Sequence, residues 1–385
     1  MCRQIVLSLL ALSLLFGAGC NAADNEDAAD DDDAAPEPGD DDDSGDDDDS
    51  ASATDDDDST PEPGDDCPEG VTCLDSFPAY VSGDTALSST SDFDSYSCAP
   101  GTDESGPEDV FRIEVPEEGL IALSIEGVDA GVDVDVHLLG SLDPSDCIDR
   151  GHWVAGSLLP AGNWFVVVDS WVNSAGQSQQ GGYDLTLNHV TTDAYGPDGV
   201  DAGLMELALV AFDNAWFDGE TERFDLTLID FSISSTLPRL WTFDLLNGTL
   251  LHNLHVSHGE ASGVSSQPDM AGSFSNIEGS HQSSLGVMRT AETYNGSNGY
   301  SLRLDGLEPT YNGLVRPRAI VVHGATYARP EFAAANGYLG RSWGCPAVDD
   351  RISSGFIDDI KGGSLMLSYY PDGDWELNSA FLEGL

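Results

Sequence analysis

Two short segments of the chain carry residue types that can do covalent chemistry together. The first is Arg318-Ala319-Ile320-Val321-Val322-His323-Gly324-Ala325-Thr326-Tyr327, an apolar strand-like run that ends in a histidine and a glycine. The second is Gly340-Arg341-Ser342-Trp343-Gly344-Cys345-Pro346-Ala347-Val348, which sets a cysteine in a glycine-flanked turn before a proline. A thiol with a pKa near ~8.5 is mostly protonated at neutral pH, so it needs a base or a positive neighbour to act as a nucleophile. His323, fixed at a strand end 22 residues upstream of Cys345, supplies that base if the intervening chain folds back. Gly344 allows a substrate carbonyl to come close, and the N–H groups of Gly344 and Cys345 point into one turn where they can hold an oxyanion. Gly324 gives the histidine strand the same freedom at its end. Arg341 adds positive potential, which favours a thiolate and a substrate carboxylate.

The remaining cysteines place this thiol in an oxidising compartment. Arg3 and the apolar run Ile5 to Phe16 have the form of an export signal, too short for a membrane span of ~20 residues. The run ends in Gly17-Ala18-Gly19-Cys20, which resembles a lipoprotein processing site with Cys20 as the lipidated residue, although Gly17 stands where leucine is usual. Asn21 rather than Asp follows, so an outer-membrane anchor is expected more than an inner-membrane one. Cys67, Cys73, Cys98 and Cys147 form an even set, expected as 67–73 and 98–147, although four cysteines allow three pairings. Cys345 is left over, which marks it as a reactive thiol.

The formal net charge is −57, with a single lysine at Lys361. Such a chain repels nucleic acid and anionic lipid surfaces, so contact with a membrane is expected through the lipid anchor only. Residues 24–66 hold 23 Asp and Glu and no basic residue. With almost no large apolar side chains, residues 21–66 read as a disordered, self-repelling acidic linker.

The elements that must position the two chemical segments are mainly strands. Residues 67–190 alternate at Val110 to Val115, Ile121 to Ile125 and Val132 to Leu138, and continue through Trp164 to Val168 and Tyr183 to Leu187. Short strands with Gly and Asn turns predict an antiparallel β-sandwich. The run "L-P-A-G-N-W" and the closing "G-G-Y-D-L-T-L" resemble the bacterial pre-peptidase C-terminal domain, a jelly-roll-like accessory module. Asp133 and Asp135 alternate along one strand and are expected to face solvent rather than bind calcium. After a linker near 191–201, Ala202 to Trp216 has helical spacing, with Asp201 as its cap. Strands follow at 224–231, 239–245 and 250–256, with an Asn247-Gly248 hairpin turn between the last two, and at 300–304, 319–323 and 364–370. Residues 191–385 are therefore expected to form a mixed, β-rich catalytic domain with few helices.

With these elements in place, "H-G-A-T-Y" followed by "G-R-S-W-G-C-P-A" resembles the L,D-transpeptidase catalytic domain, the YkuD-like fold. "V-S-H-G" at 256–259, "F-S-N" at 274–276, "S-S-L-G-V-M-R-T" at 283–290 and "Y-S-L-R-L-D-G-L-E" at 300–308 resemble its murein branch, in order, over about residues 200–372. The resemblance implies that Cys345 attacks a peptidoglycan stem tetrapeptide between residues three and four. His323 would act as base, and the acyl group would pass to an amine or to water. It makes Ser342, Arg341, Trp343, Tyr327 and Arg289 candidates for positioning substrate. The family usually carries Ser-His-Gly-Cys, and Trp343 here replaces the second histidine, so contacts at Trp343 depart from the family pattern. His258, His281, His252 and His255 are expected to be structural, and Arg303 and Asp305 to pair with each other. No cluster has zinc spacing, so no metal and no cofactor are expected, and the protein is expected to be a monomer. A wall-binding lipoprotein without activity, and a cysteine peptidase or amidase of another fold, share parts of this pattern.

Overall fold

The computed structural model describes residues 67–193 and 199–385. The export segment with Cys20, the acidic linker 21–66 and part of the 191–201 linker lie outside the described residues. Among the described residues, no helix is long and apolar enough to cross a membrane.

The first half contains β1 (Val71–Leu74), β2 (Ala79–Asp84), β3 (Glu108–Val115), β4 (Gly119–Glu126), β5 (Val134–Leu139), β6 (Cys147–Gly151), β7 (Val154–Leu159), β8 (Gly162–Ser170) and β9 (Gly182–Val190). They form two sheets, ordered β1-β3-β8-β5-β6 and β2-β9-β4-β7. The alternation read from the sequence is what buries one face of each. Ile113, Ile121, Leu123, Val136, Leu138, Val166 and Leu187 fill a shared core between the sheets. The strand pairs are antiparallel except at one edge, where β1 runs parallel to β3. Disulfides join Cys67 to Cys73 and Cys98 to Cys147.

Asp135 corrects the expectation of solvent-facing carboxylates. It is buried, pairs with Arg150, and lies 3.0 Å from His152 Nδ1. The reason is that the outer face of β5 is roofed. Tyr96, from the segment before β3, stacks on His137 with ring centroids 3.6 Å apart, and Phe93 and Tyr96 cover Leu139 and Val167. Alternation alone does not reveal a second covering layer.

The second half contains α1 (Ala202–Phe217), β10 (Asp225–Asp230), β11 (Leu240–Asp244), β12 (Thr249–Leu254), β13 (Gly263–Val264), β14 (Gln267–Ala271), β15 (Gly286–Gly296), β16 (Gly299–Gly306), β17 (Val321–Ala325), α2 (Pro330–Asn336), β18 (Ala347–Asp349), α3 (Ser353–Ile360), β19 (Leu365–Tyr369) and α4 (Gly373–Asn378). Eight strands make one mixed sheet in the order β12-β11-β10-β19-β15-β16-β17-β18. Asp201 caps α1 by accepting from the Leu204 N–H at 3.1 Å. Gly248, at φ +60°, makes the turn between β11 and β12. Arg303 and Asp305 do not pair with each other, which corrects that expectation. They lie two positions apart on β16, and each reaches a neighbouring segment instead, Arg303 to Glu292 at 3.2 Å and Asp305 to Arg316.

Helix α1 is apolar almost all round, as a helix covered on both sides must be. Its Leu204, Met205, Ala208 and Phe212 share a core with Leu120, Ala122 and Val190 of the sandwich and with Leu226, Leu228, Trp241 and Leu365 of the mixed sheet. Polar anchors fix the same seam. The Leu158 N–H donates to Asp213 Oδ1 at 2.8 Å, and Trp216 Nε1–H to Asp149 Oδ2 at 2.8 Å.

The buried titratable groups set a stability profile. Burial holds His137 and His258 down at about 3. Unfolding lets both take up protons below roughly pH 6.5, so their contribution is lost as pH falls from there toward 3. Burial pushes Glu108 up to about 7 and Asp169 up to about 9. Unfolding releases their protons above the usual carboxylate range of ~4, so their contribution is lost as pH rises toward 9. The midpoint of thermal unfolding is therefore expected to be highest at mildly acidic pH and to fall from about pH 6.5 to pH 9. Calorimetry from pH 4 to 9 checks this, and a midpoint that rises over the upper half would contradict the buried-acid assignment.

Candidate active site

The strand register explains how His323 and Cys345 meet. Strands β17 and β18 are parallel, with His323 opposite Ala347. Cys345 lies two residues before Ala347, so it falls opposite Val321, two residues before His323 on β17. The Val321 N–H donates to Cys345 Sγ at 3.5 Å, and the thiol donates to the Ala319 carbonyl at 3.7 Å. Cys345 and His323 are thus brought to neighbouring segments, two register positions apart. Ala319 itself sits at φ +55°, an uncommon region for a non-glycine residue, which turns its carbonyl toward the thiol.

The protonation states follow from the same contacts. His323 Nδ1 lies 3.0 Å from the Gly324 carbonyl. A carbonyl only accepts, so Nδ1 carries the hydrogen and Nε2 presents the basic lone pair. Burial lowers the His323 pKa, opposed by that Gly324 contact. Burial raises the Cys345 thiol, opposed by the Val321 N–H and by Arg318. The resting pair is therefore a neutral thiol beside a neutral imidazole, suited to general-base activation rather than a standing thiolate.

The turn that carries Cys345 is built by Ser342. Its hydroxyl donates to the Cys345 carbonyl at 2.7 Å and accepts from the Gly344 N–H at 3.1 Å. That occupies the Gly344 N–H, which sequence reasoning assigned to an oxyanion. The Cys345 N–H has no acceptor among the described residues and is the one available for that role. Ser342 is buried and braces the turn through these two bonds. Gly344 has φ +114°, and a Cβ there would lie 2.5 Å from the Gln282 carbonyl.

The "V-S-H-G" segment is the floor of this turn. Ser257 bridges to Ala347 and Gly259 to Ser342, and the Ser342 N–H donates to the His258 carbonyl at 3.1 Å. The buried His258 ring lies 2.9 Å from Arg239, which is fully buried and also donates to the Val256 and Ile233 carbonyls. Arg239 therefore holds His258 beneath the turn that carries Cys345. Arg318 ties down the next loop by donating to the Ser275 carbonyl at 2.6 Å and the Gln282 carbonyl at 2.7 Å. Sequence reasoning passed over Arg318 and Arg239. The signal was their scarcity in so acidic a chain. Among the described residues, Arg239, Arg318 and Arg341 are the arginine and lysine side chains outside ion pairs, and all three lie around the turn that carries Cys345.

The other candidates divide. Tyr327 is half-buried, and its pKa is pushed up to about 12 by burial and by Cys345. Arg341 is exposed at the turn, over the Tyr338 ring at 5.5 Å. Trp343 is exposed and stacks on His281. Arg289 is not brought to the site. It pairs with Glu220 at 3.4 Å beside the C-terminal end of α1. His252 pairs with Asp359 at 2.8 Å, and His255 reaches the Thr236 carbonyl at 3.0 Å. For a cation, ligand atoms of Asp133, Asp135 and His152 lie within 4.8 Å of one another, but Arg150 already holds Asp135. Cys98 and Cys147, grouped with His137, are joined in their disulfide.

Residues 197–369 match a family model described as the L,D-transpeptidase catalytic domain. No curated protein matches the chain. Among solved structures, the chain is similar to an L,D-transpeptidase from Mycobacterium smegmatis, with 11% identity over 64% of this chain and 82% of that one, at a TM-score of 0.24. It is also similar to the pre-peptidase C-terminal domain of a collagenase from Bacillus anthracis, with 14% identity over 32% of this chain and 99% of that one, at a TM-score of 0.22.

Proposed function

From the premise that residues 197–369 form an L,D-transpeptidase catalytic domain, we infer that the protein remodels peptidoglycan through a thioester on Cys345. The observation that carries this is the seating of Cys345, the free cysteine among the described residues, against the strand that bears His323.

The reaction begins as His323 Nε2 takes the thiol proton and Sγ attacks the carbonyl carbon of the third stem residue. The oxyanion forms against the Cys345 N–H, with Arg318 and Arg341 supplying positive potential. The bond to D-alanine then breaks, and the proton on His323 passes to the departing amine. An amine of a neighbouring stem attacks the thioester, loses its proton to His323, and forms a 3–3 crosslink as the thiol is regenerated. Water in place of the amine gives carboxypeptidase activity. Arg341 and Tyr327, at the rim, hold the substrate in this reading. The lipid anchor at Cys20, the linker 21–66 and an outer-membrane location complete it, since a tethered enzyme must reach out to a polymer.

Incubation with a carbapenem, or with disaccharide-tetrapeptide, followed by intact mass tests the reading. One acyl adduct that maps to Cys345, with D-alanine released from the peptide donor, is expected. A well-folded chain with no adduct from either reagent would instead favour a wall-binding protein without activity.

A further inference from the structure

The catalytic turn carries one large side chain that the chemistry above does not use. Trp343 is 69% exposed, although Ser342 and Gly344 on either side of it are buried. One face of its ring lies parallel to the His281 imidazole, with centroids 4.5 Å apart and planes 4° apart. His281 is held at φ +56°, a conformation that persists in a non-glycine residue only where the surroundings enforce it.

Those surroundings are visible. The His281 carbonyl accepts from the Ala261 N–H at 3.1 Å. A Cβ on Gly259 would meet that carbonyl at 2.4 Å, so the two segments are in backbone contact. The next residue, Gln282, accepts from Arg318 and donates its side-chain amide to the Ala261 carbonyl at 3.2 Å. The histidine is therefore a braced backing, and the outer face of Trp343 is a flat, preorganised apolar surface facing solvent. Its rim is polar. Glu260 is 4.0 Å from His281, and the exposed Arg341 lies two residues before Trp343.

Building on the transpeptidase reading, we propose that this outer face is a subsite for the sugar that carries the stem peptide. An aromatic face rimmed by hydrogen-bonding groups suits a pyranose, which has an apolar C–H face and hydroxyls around its edge. The reach also matches. With the third stem residue at Cys345, an extended stem places its sugar roughly 10 Å away at ~3.3–3.6 Å per residue. Trp343 is two residues from Cys345, so at most about 7.6 Å separates their Cα atoms, and the indole extends beyond that. The subsite makes the enzyme prefer donors still attached to glycan over free peptides.

The test uses two donors, disaccharide-tetrapeptide and the same tetrapeptide freed of its sugar. Turnover is measured on the exported chain and on its Trp343→Ala and Trp343→Phe variants. Calorimetric binding is measured on the same set carrying Cys345→Ala. The sugar-bearing donor is expected to be favoured about tenfold in kcat/KM and in affinity, a preference that falls to within about twofold in Trp343→Ala and is largely kept in Trp343→Phe. Equal treatment of the two donors by the native sequence, or an undiminished preference in Trp343→Ala, overturns the subsite. If neither donor turns over, the transpeptidase reading fails, and the binding measurements still decide the subsite.

Discussion

Alanine at Cys345 is expected to lower D-alanine release by about 10^4-fold or more, and alanine at His323 by about 10^2–10^4-fold. The double variant should be no worse than Cys345→Ala alone, because nucleophile and base act as one unit. The asymmetry follows from the seating of the thiol. Without Cys345 no thioester forms, whereas without His323 the thiol keeps the Val321 N–H and Arg318 beside it. The pH profile carries the sharper test. Burial lowers His323, so its neutral, proton-accepting form is populated to below pH ~6.5, and activity should fall only in more acid solution. Burial raises Cys345, so alkylation by iodoacetamide in the absence of substrate should climb with a midpoint above ~8.5. An alkylation rate already flat at pH 6 would mean a standing thiolate–imidazolium pair and would refute the neutral resting state.

The parts of this site that depend on residue type were legible in the sequence. Cys345 stood out as the thiol left over beside an even set of four cysteines, and His323 as the polar end of an apolar strand. The mainly β architecture was legible because some strands alternate, as at Val110 to Val115, and others are short apolar runs, as at Phe165 to Val168. Features that depend on a third partner were not legible. Asp135 is paired by Arg150 and lies beside His152, residues that alternation along its own strand cannot report. Arg303 and Asp305 share a strand face, yet Glu292 and Arg316 claim them from neighbouring segments. Gly344 has the form of an oxyanion donor in the sequence, but Ser342 Oγ, two residues away in the same turn, takes its N–H. Arg289 sat inside a family-like motif, but its strand carries it to Glu220 rather than to the thiol.

Removing the sandwich should unfold the catalytic half rather than release it. A chain reduced to residues 199–385 keeps every residue of the dyad and its turn, yet strips one side of α1. Leu204, Met205, Ala208 and Phe212 share their core with Leu120, Ala122 and Val190 of the sandwich. Re-exposing each large apolar side chain costs about 1.5–3 kcal/mol. Several such losses approach the whole margin of a domain, roughly 5–15 kcal/mol. The shortened chain is therefore expected to aggregate, or to melt without a cooperative transition, and to lose acylation at Cys345. A gentler version separates seam from surface. Asp213→Ala in the full chain leaves the Leu158 N–H without its acceptor. That should cost about 1–3 kcal/mol, read as a lowered unfolding midpoint. Cooperative melting of 199–385 within a few degrees of the longer chain, with Cys345 still acylated, would show that the sandwich is an appendage. The expected result makes it part of the catalytic fold: α1 has no polar face to turn toward water, so the sheet that covers it is as necessary to the site as the strand that bears His323.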